Sequence, residues 1–233
     1  MKTFLFACVL VAVCICAIAA DSQRKVSASK PENVPTIPAD EKYYAVFLAH
    51  QDAENTIPMS HTFALFMKTR DDGAHRKIVD TATINWLPLS GHVSIARPAE
   101  QGVNKSLAET LQWAKERNLE VSISGPYEID ADFYGRAASQ ASRLERGEFK
   151  YRCHVKMRDT TKNCIYAVAD IFDDEPQLDT GTSRGRESLS EIVEYFRPKF
   201  KSHELILSEF APVSAELKLS EIRTVDTERL AAE

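Results

Sequence analysis

The chain has no block of clustered lysine and arginine; its 29 Lys and Arg are outnumbered by 34 Asp and Glu, for a formal net charge of −5. Phosphate binding depends on such clusters, so nucleic acid is not an expected partner. A glycine-rich phosphate loop is missing, as is any closely paired cysteine set or His-Glu-x-x-His spacing that would hold zinc. No metal and no cofactor is therefore implied. No serine sits in a Gly-x-Ser-x-Gly setting, which removes the commonest serine-nucleophile signature. Beyond the first segment, no apolar run approaches the roughly 20 residues that a membrane-spanning helix needs.

That first segment is itself distinctive. Met1 to Ala20 carries Lys2 near its start, an unbroken apolar run from Phe4 to Ile18, and the small residues Ala17, Ala19 and Ala20 before Asp21. This is the order of a secretory signal peptide. Export to a secreted, periplasmic or other extracytoplasmic location is expected, with no membrane span left after cleavage. Removing Lys2 takes the net charge from −5 to −6.

Of the 5 cysteines, Cys8, Cys14 and Cys16 fall in the leader, so the mature chain keeps Cys153 and Cys164. In an oxidising compartment the simplest expectation is a disulfide between them closing a short loop. The alternative is that one is a reactive thiol.

Residues 21–40 are polar, with Pro31, Pro35 and Pro38, and read as a flexible lead-in. One α+β domain over 41–212 follows, with a loosely attached tail over 213–233. Tyr43 to His50 reads as a buried strand. In Ser60 to Met67, His61, Phe63, Leu65 and Met67 share one face of a strand. Asp71-Asp72-Gly73 supplies turn chemistry, and Ile78 to Leu87 returns as the second arm of a hairpin. A further strand is expected over His92 to Ala96. Ser106 with Glu109 three residues on forms a capping-box pattern before a helix that Asn118 ends. Leu119 to Ser124 alternates as a strand broken by Gly125-Pro126, and Asp130 to Arg146 has helical spacing, ended by Gly147. Phe149 to Val155 is strand-like, and a helix runs from Thr161 to about Phe172. After the polar loop Thr180 to Arg186 come a helix over Glu187 to Phe196 and an edge strand over His203 to Phe210. Strands and helices without regular alternation argue for an antiparallel sheet flanked by helices rather than a doubly wound parallel one.

Cys164 is the residue best placed for chemistry. With Thr161 or Asn163 as cap it lies in the first turn of a helix, where unpaired N–H groups and the helix dipole lower a thiol pKa and can stabilise an oxyanion. A thiol nucleophile also needs an imidazole as base. Among the 6 histidines, His61 is the best candidate, because it begins an apolar strand face where a polar group is costly without a partner. A third group should orient the imidazole. Across a hairpin turning near Asp72, the residues opposite His61 are those around Thr83 to Asn85, which makes Asn85 the candidate; Asp80, nearer Leu65, stays open because register is not fixed by sequence.

SHTFALF (Ser60 to Phe66), a strand ending INWLP (Ile84 to Pro88), then YRC (Tyr151 to Cys153) and KNCIYAVADI (Lys162 to Ile171) occur in that order. The series resembles the permuted branch of the NlpC-type papain-like superfamily, the branch that includes relatives of lecithin retinol acyltransferase. In those proteins a histidine opens an early strand, a polar residue follows on the next, and the cysteine comes last at the start of a helix. The resemblance implies a circularly permuted papain-like fold, with Cys164 as nucleophile, His61 as base and Asn85 or Asp80 as the third member. Two functions follow as expectations. The first is a secreted cysteine hydrolase that cleaves an amide bond, in a peptide or a cell-wall peptide, through a thioester, with acyl transfer possible on the same site. The second is a non-catalytic exported binding domain with a Cys153–Cys164 structural bridge.

Overall fold

The computed structural model describes residues 40–71, 73, 76–155, 160–172, 178 and 184–202. The expected leader, nearly all of the lead-in, most of the loop before Arg184, the expected strand over 203–210 and the tail lie outside the described residues. No described helix is long and apolar enough to cross a membrane.

Two antiparallel hairpin partners open the domain. β1 (Glu41–Gln51) pairs with β2 (His61–Asp71), which pairs with β3 (Arg76–Ile84). β1 also pairs along its other edge with β6 (Glu120–Ile129), giving an antiparallel sheet of order β3-β2-β1-β6. β1 is buried from Tyr43 to Gln51 without alternation, as expected of a central strand covered on both faces. A second sheet, of order β4-β5-β7-β8, is built from short strands: β4 (Trp86–Pro88), β5 (Glu100–Asn104), β7 (Lys150–Tyr151) and β8 (Thr161–Lys162). Only its β7–β8 pair is parallel.

Helices cover both faces of the larger sheet. On one face Tyr44, Val46, Leu48, Phe63, Leu65 and Met67 pack with Leu107 of α1 (Leu107–Glu116). On the other, the main core gathers Phe47 and Phe66 with Phe133 of α2 (Ala131–Glu145), Val168 of α3 (Cys164–Ala169) and Phe196 of α4 (Gly185–Phe196). The Phe133 ring lies 5.9 Å from that of Phe66 and 5.2 Å from that of Phe196, the spacing at which aromatic pairs add to simple burial. The fold is therefore α+β with antiparallel sheets flanked by helices.

Local signals explain the helix starts. Ser106 and Glu109 form the expected capping box on α1, and Asp130 Oδ1 accepts from Phe133 N at 2.7 Å on α2. Asn118, after α1, has a φ of 51°, a left-handed conformation that asparagine tolerates better than most.

Several expectations need correction. Ile78 to Leu87 is not one strand: the chain leaves the first sheet at Ile84 and joins the second at Trp86, with Asn85 at the break. His92 to Ala96 forms no strand; the partner of β4 is β5, later in the chain. Gly125-Pro126 does not end β6, which runs on to Ile129 through an irregularity opposite Ala45 and Phe47. Phe149 to Val155 shrinks to the two residues of β7. The helix expected from Thr161 begins at Cys164, because Thr161 and Lys162 pair with Lys150 and Tyr151 and only Asn163 is free to cap.

Candidate functional site

The chain crosses between sheets at Asn85, and its backbone there is held from β5 and the residue after it: Asn85 N donates to Asn104 Oδ1 at 2.8 Å, and Lys105 N donates to Asn85 O at 3.1 Å. This pins the Asn85 side chain, fully buried, against the first residue of β2. The His61 Nε2 and Asn85 Oδ1 atoms are 2.5 Å apart. Asn85 Nδ2 in turn donates to Thr110 Oγ1 on α1, and Thr110 Oγ1 donates to the Ser106 carbonyl at 3.0 Å.

The chain of donors fixes a protonation pattern. Thr110 has one hydroxyl proton and spends it on Ser106 O, so toward Asn85 it can only accept. Asn85 must then turn its NH2 to Thr110 and its oxygen to His61. A carboxamide oxygen only accepts, so His61 carries its proton on Nε2, and in the neutral ring Nδ1 is left with a lone pair. Nδ1 is buried and has no hydrogen-bond partner among the described residues. Burial, and then the neighbouring His50 ring, pull the His61 pKa down to about 3, against the opposing effect of the Asn85 hydrogen bond. The ring is neutral at any physiological pH.

Asp80 does not take part. The β2–β3 register gives Leu65 to Thr83 and sets Asp80 opposite Lys68, on an exposed stretch of β3 where the Asp80 carboxylate accepts from Thr81 N at 2.9 Å. Of the two candidates for the group beside the imidazole, Asn85 is the one that meets it.

Cys164 stands at the first position of α3. Asn163 Oδ1 caps the helix by accepting from Tyr166 N at 2.8 Å, while Asn163 Nδ2 donates to Cys153 O at 3.1 Å. One side chain thus starts the helix and ties the segment after β7 alongside it. A buried ion pair, Lys162 Nζ to Asp170 Oδ2 at 2.7 Å, brackets the same short helix. Both Cys153 and Cys164 are free thiols, so the expected bridge is not formed.

The electrostatics of the sulfur differ from expectation. Burial pushes the Cys164 thiol up to about 11, outweighing the backbone N–H groups of Thr62, Ile165 and Cys164 itself, which favour the thiolate. A helix N-terminus lowers a thiol pKa only if desolvation does not exceed it; α3 is six residues long, and here burial wins. Thr62, whose backbone N–H is one of the groups favouring the thiolate, is at the start of β2, one residue from His61.

Cys164 and His61 line one cavity of about 380 Å³, together with Tyr151, Cys153, Asn163 and Arg184. The unpartnered Nδ1 means that thiol and imidazole are not hydrogen-bonded in this resting arrangement. Sequence reasoning missed Thr110, whose only signal was a polar residue on the apolar side of α1, and Arg184, which belongs to a loop with no motif. It also passed over His50, the cross-strand partner of His61, whose ring centroid lies 5.1 Å away. His50 Nδ1 lies 2.9 Å from the Met59 carbonyl, and burial takes its pKa down to about 4. No group of three or more metal-ligating side chains occurs among the described residues. Comparison of the chain with protein-family models, with curated proteins and with solved structures finds no match.

Proposed function

We propose that the chain is an exported cysteine hydrolase of circularly permuted papain-like arrangement, cleaving an amide bond through a thioester on Cys164. The single observation that carries this is the His61–Asn85 hydrogen bond, which leaves an unprotonated nitrogen, Nδ1, on a ring sharing one cavity with a cysteine at a helix start.

In this reading the Cys164 S–H proton passes to His61 Nδ1 as the sulfur attacks the carbonyl carbon. The tetrahedral oxyanion collapses, the C–N bond breaks, and His61 returns the proton to the departing amine. His61 then takes a proton from water, whose oxygen attacks the thioester; C–S cleavage releases the acid and the thiol recovers its proton. Another nucleophile in place of water makes the same site an acyltransferase. The sulfur must close on Nδ1 in the substrate complex, and catalytic hydrogen bonds commonly tighten at that stage.

A second reading, a non-catalytic exported binding domain that uses the same cavity, draws support from the missing Cys164–His61 hydrogen bond. The two are separated by incubating the purified chain with peptide and cell-wall peptide amides and measuring intact mass. The hydrolase gives an acyl adduct that maps to Cys164, and turnover that vanishes in Cys164→Ala and His61→Ala. Bound but uncleaved ligand with no adduct leaves the binding domain.

A further inference from the structure

The described residues lining the Cys164 cavity include no aspartate or glutamate, although acidic residues number 34 in this chain and exceed the cations. They do include a guanidinium. Arg184 is the residue before α4, and its side chain does not cap that helix; Arg184 Nη1 reaches the Asn55 carbonyl at 3.3 Å. No carboxylate pairs with it among the described residues. A cation facing a cavity without a counter-charge is a standing attraction for an anion.

The arginine is held in place. Gly185 has a φ of +50°, and a Cβ there would collide with Gln51 Oε1, which instead accepts from Arg186 N at 2.9 Å. Asn55 Nδ2 donates to Glu187 Oε2 at 3.1 Å. The start of α4 is thus stitched to the segment joining β1 and β2, which holds the backbone from which Arg184 reaches the cavity.

A second, independent observation lies four residues on. Ser188 is fully buried, its Oγ has no hydrogen-bond partner among the described residues, and it lines the same cavity. A buried hydroxyl without a partner is unfavourable, and Arg184 and Ser188 line the same cavity. Elsewhere the wall is mixed: Ile57, Val93, Ile95, Val155 and Ile165 give it apolar surface, beside the polar Ser60, Thr62 and His154.

The geometry points to a carboxylate-binding subsite at Arg184 and Ser188, so that the ligand of this cavity is an acyl compound with an apolar body and a free carboxylate. The guanidinium supplies the charge and the Ser188 hydroxyl donates to a carboxylate oxygen. This rests on the hydrolase reading only in naming that ligand a substrate.

The test is charge-selective alkylation of the purified full chain, followed by peptide mapping at Cys164. Iodoacetate and iodoacetamide differ in a carboxylate, and the ratio of their rates cancels the thiol pKa and its accessibility. Relative to the same ratio for glutathione, the chain is expected to favour iodoacetate about tenfold. Arg184→Gln should bring it to within about twofold of glutathione, and Ser188→Ala should lower it partway without lowering the thermal midpoint, since the hydroxyl it removes is unpaired. Equal ratios in the native chain and Arg184→Gln overturn the subsite. So does a Cys164 that neither reagent reaches in the folded chain. A selective ratio in a chain that turns over no amide retains the subsite and rejects the hydrolase; turnover without selectivity does the reverse.

Discussion

Asn85 holds its carboxamide oxygen 2.5 Å from His61 Nε2, and does so from the one residue that separates β3 from β4. The change of sheet is what turns this side chain inward, and the Thr110 hydroxyl is what decides which end of it His61 meets.

Thr110 therefore sets the histidine tautomer from two residues away. In Thr110→Val the acceptor is lost, the Asn85 amide is free to flip, and an NH2 turned to His61 forces the proton onto Nδ1. Turnover of an amide substrate should fall about 100-fold, the lower end of what a general base supplies, and Thr110→Ser should restore it. Nitrogen NMR of the His61 ring reports the tautomer directly. A ring still protonated on Nε2 in Thr110→Val would refute the relay. Asn85→Ala should cost as much turnover and, by leaving buried groups unpaired, about 1–3 kcal/mol of stability as well.

Neutral thiol and neutral imidazole are the resting state, since the Cys164 pKa is about 11 and that of His61 about 3. The thiolate is the reactive form, so alkylation of Cys164 by iodoacetamide should climb about tenfold per pH unit from neutrality into the alkaline range. A rate already level at pH 7 would reveal a preformed thiolate–imidazolium pair. Mapping the label separates Cys164 from Cys153, whose thiol burial also raises.

Periodicity and caps make α1, α2 and the start of β2 legible in the residues alone, because Ser106, Asp130 and the alternation after His61 are local signals. The site is legible as far as local chemistry carries it: Cys164 at a helix start, His61 at a strand start, Asn85 close by. Sheet membership is not. Trp86 and Gly102 meet across β4 and β5, where a Cβ on Gly102 would fall within the Trp86 indole, and nothing in either segment alone announces that contact. Burial escapes a local reading for the same reason. The helix position of Cys164 argues for a low pKa, and the value is high because residues distant in sequence desolvate the sulfur.

Acid should destabilise the fold in a defined window. His50 and His61 have folded pKa values of about 4 and about 3 against an ordinary 6.5, so below pH 6.5 the unfolded chain takes up protons that the folded chain refuses. Stability is intact above that point and declines as pH falls toward the folded values, by up to about 1.4 kcal/mol per pH unit for each histidine. The alkaline limb has the opposite origin. Cys164 stays protonated in the fold up to about 11 against an ordinary 9.0, and stability declines as pH rises between the two. Denaturant titrations across pH should show both limbs, with His50→Gln flattening the acid one and Cys164→Ser the alkaline one. A flat profile from pH 7 down to 4 would contradict the burial of these rings.

Lys162 and Asp170 flank the Cys164 helix and are each only 5% exposed at the side chain. Removing the ammonium deprives the Asp170 carboxylate of the cation 2.7 Å from it, where water does not reach it, so Lys162→Met should lose about 3–5 kcal/mol. Because the penalty comes from the charge left behind and not from the missing attraction, adding Asp170→Asn should recover most of the loss. The Lys162 ammonium also sits 4.4 Å from the Phe149 ring centre, a contact methionine can replace with its thioether. If the double variant is no more stable than the single one in a denaturant titration, the pair is a surface-like contact that does not hold α3 and its cysteine in place.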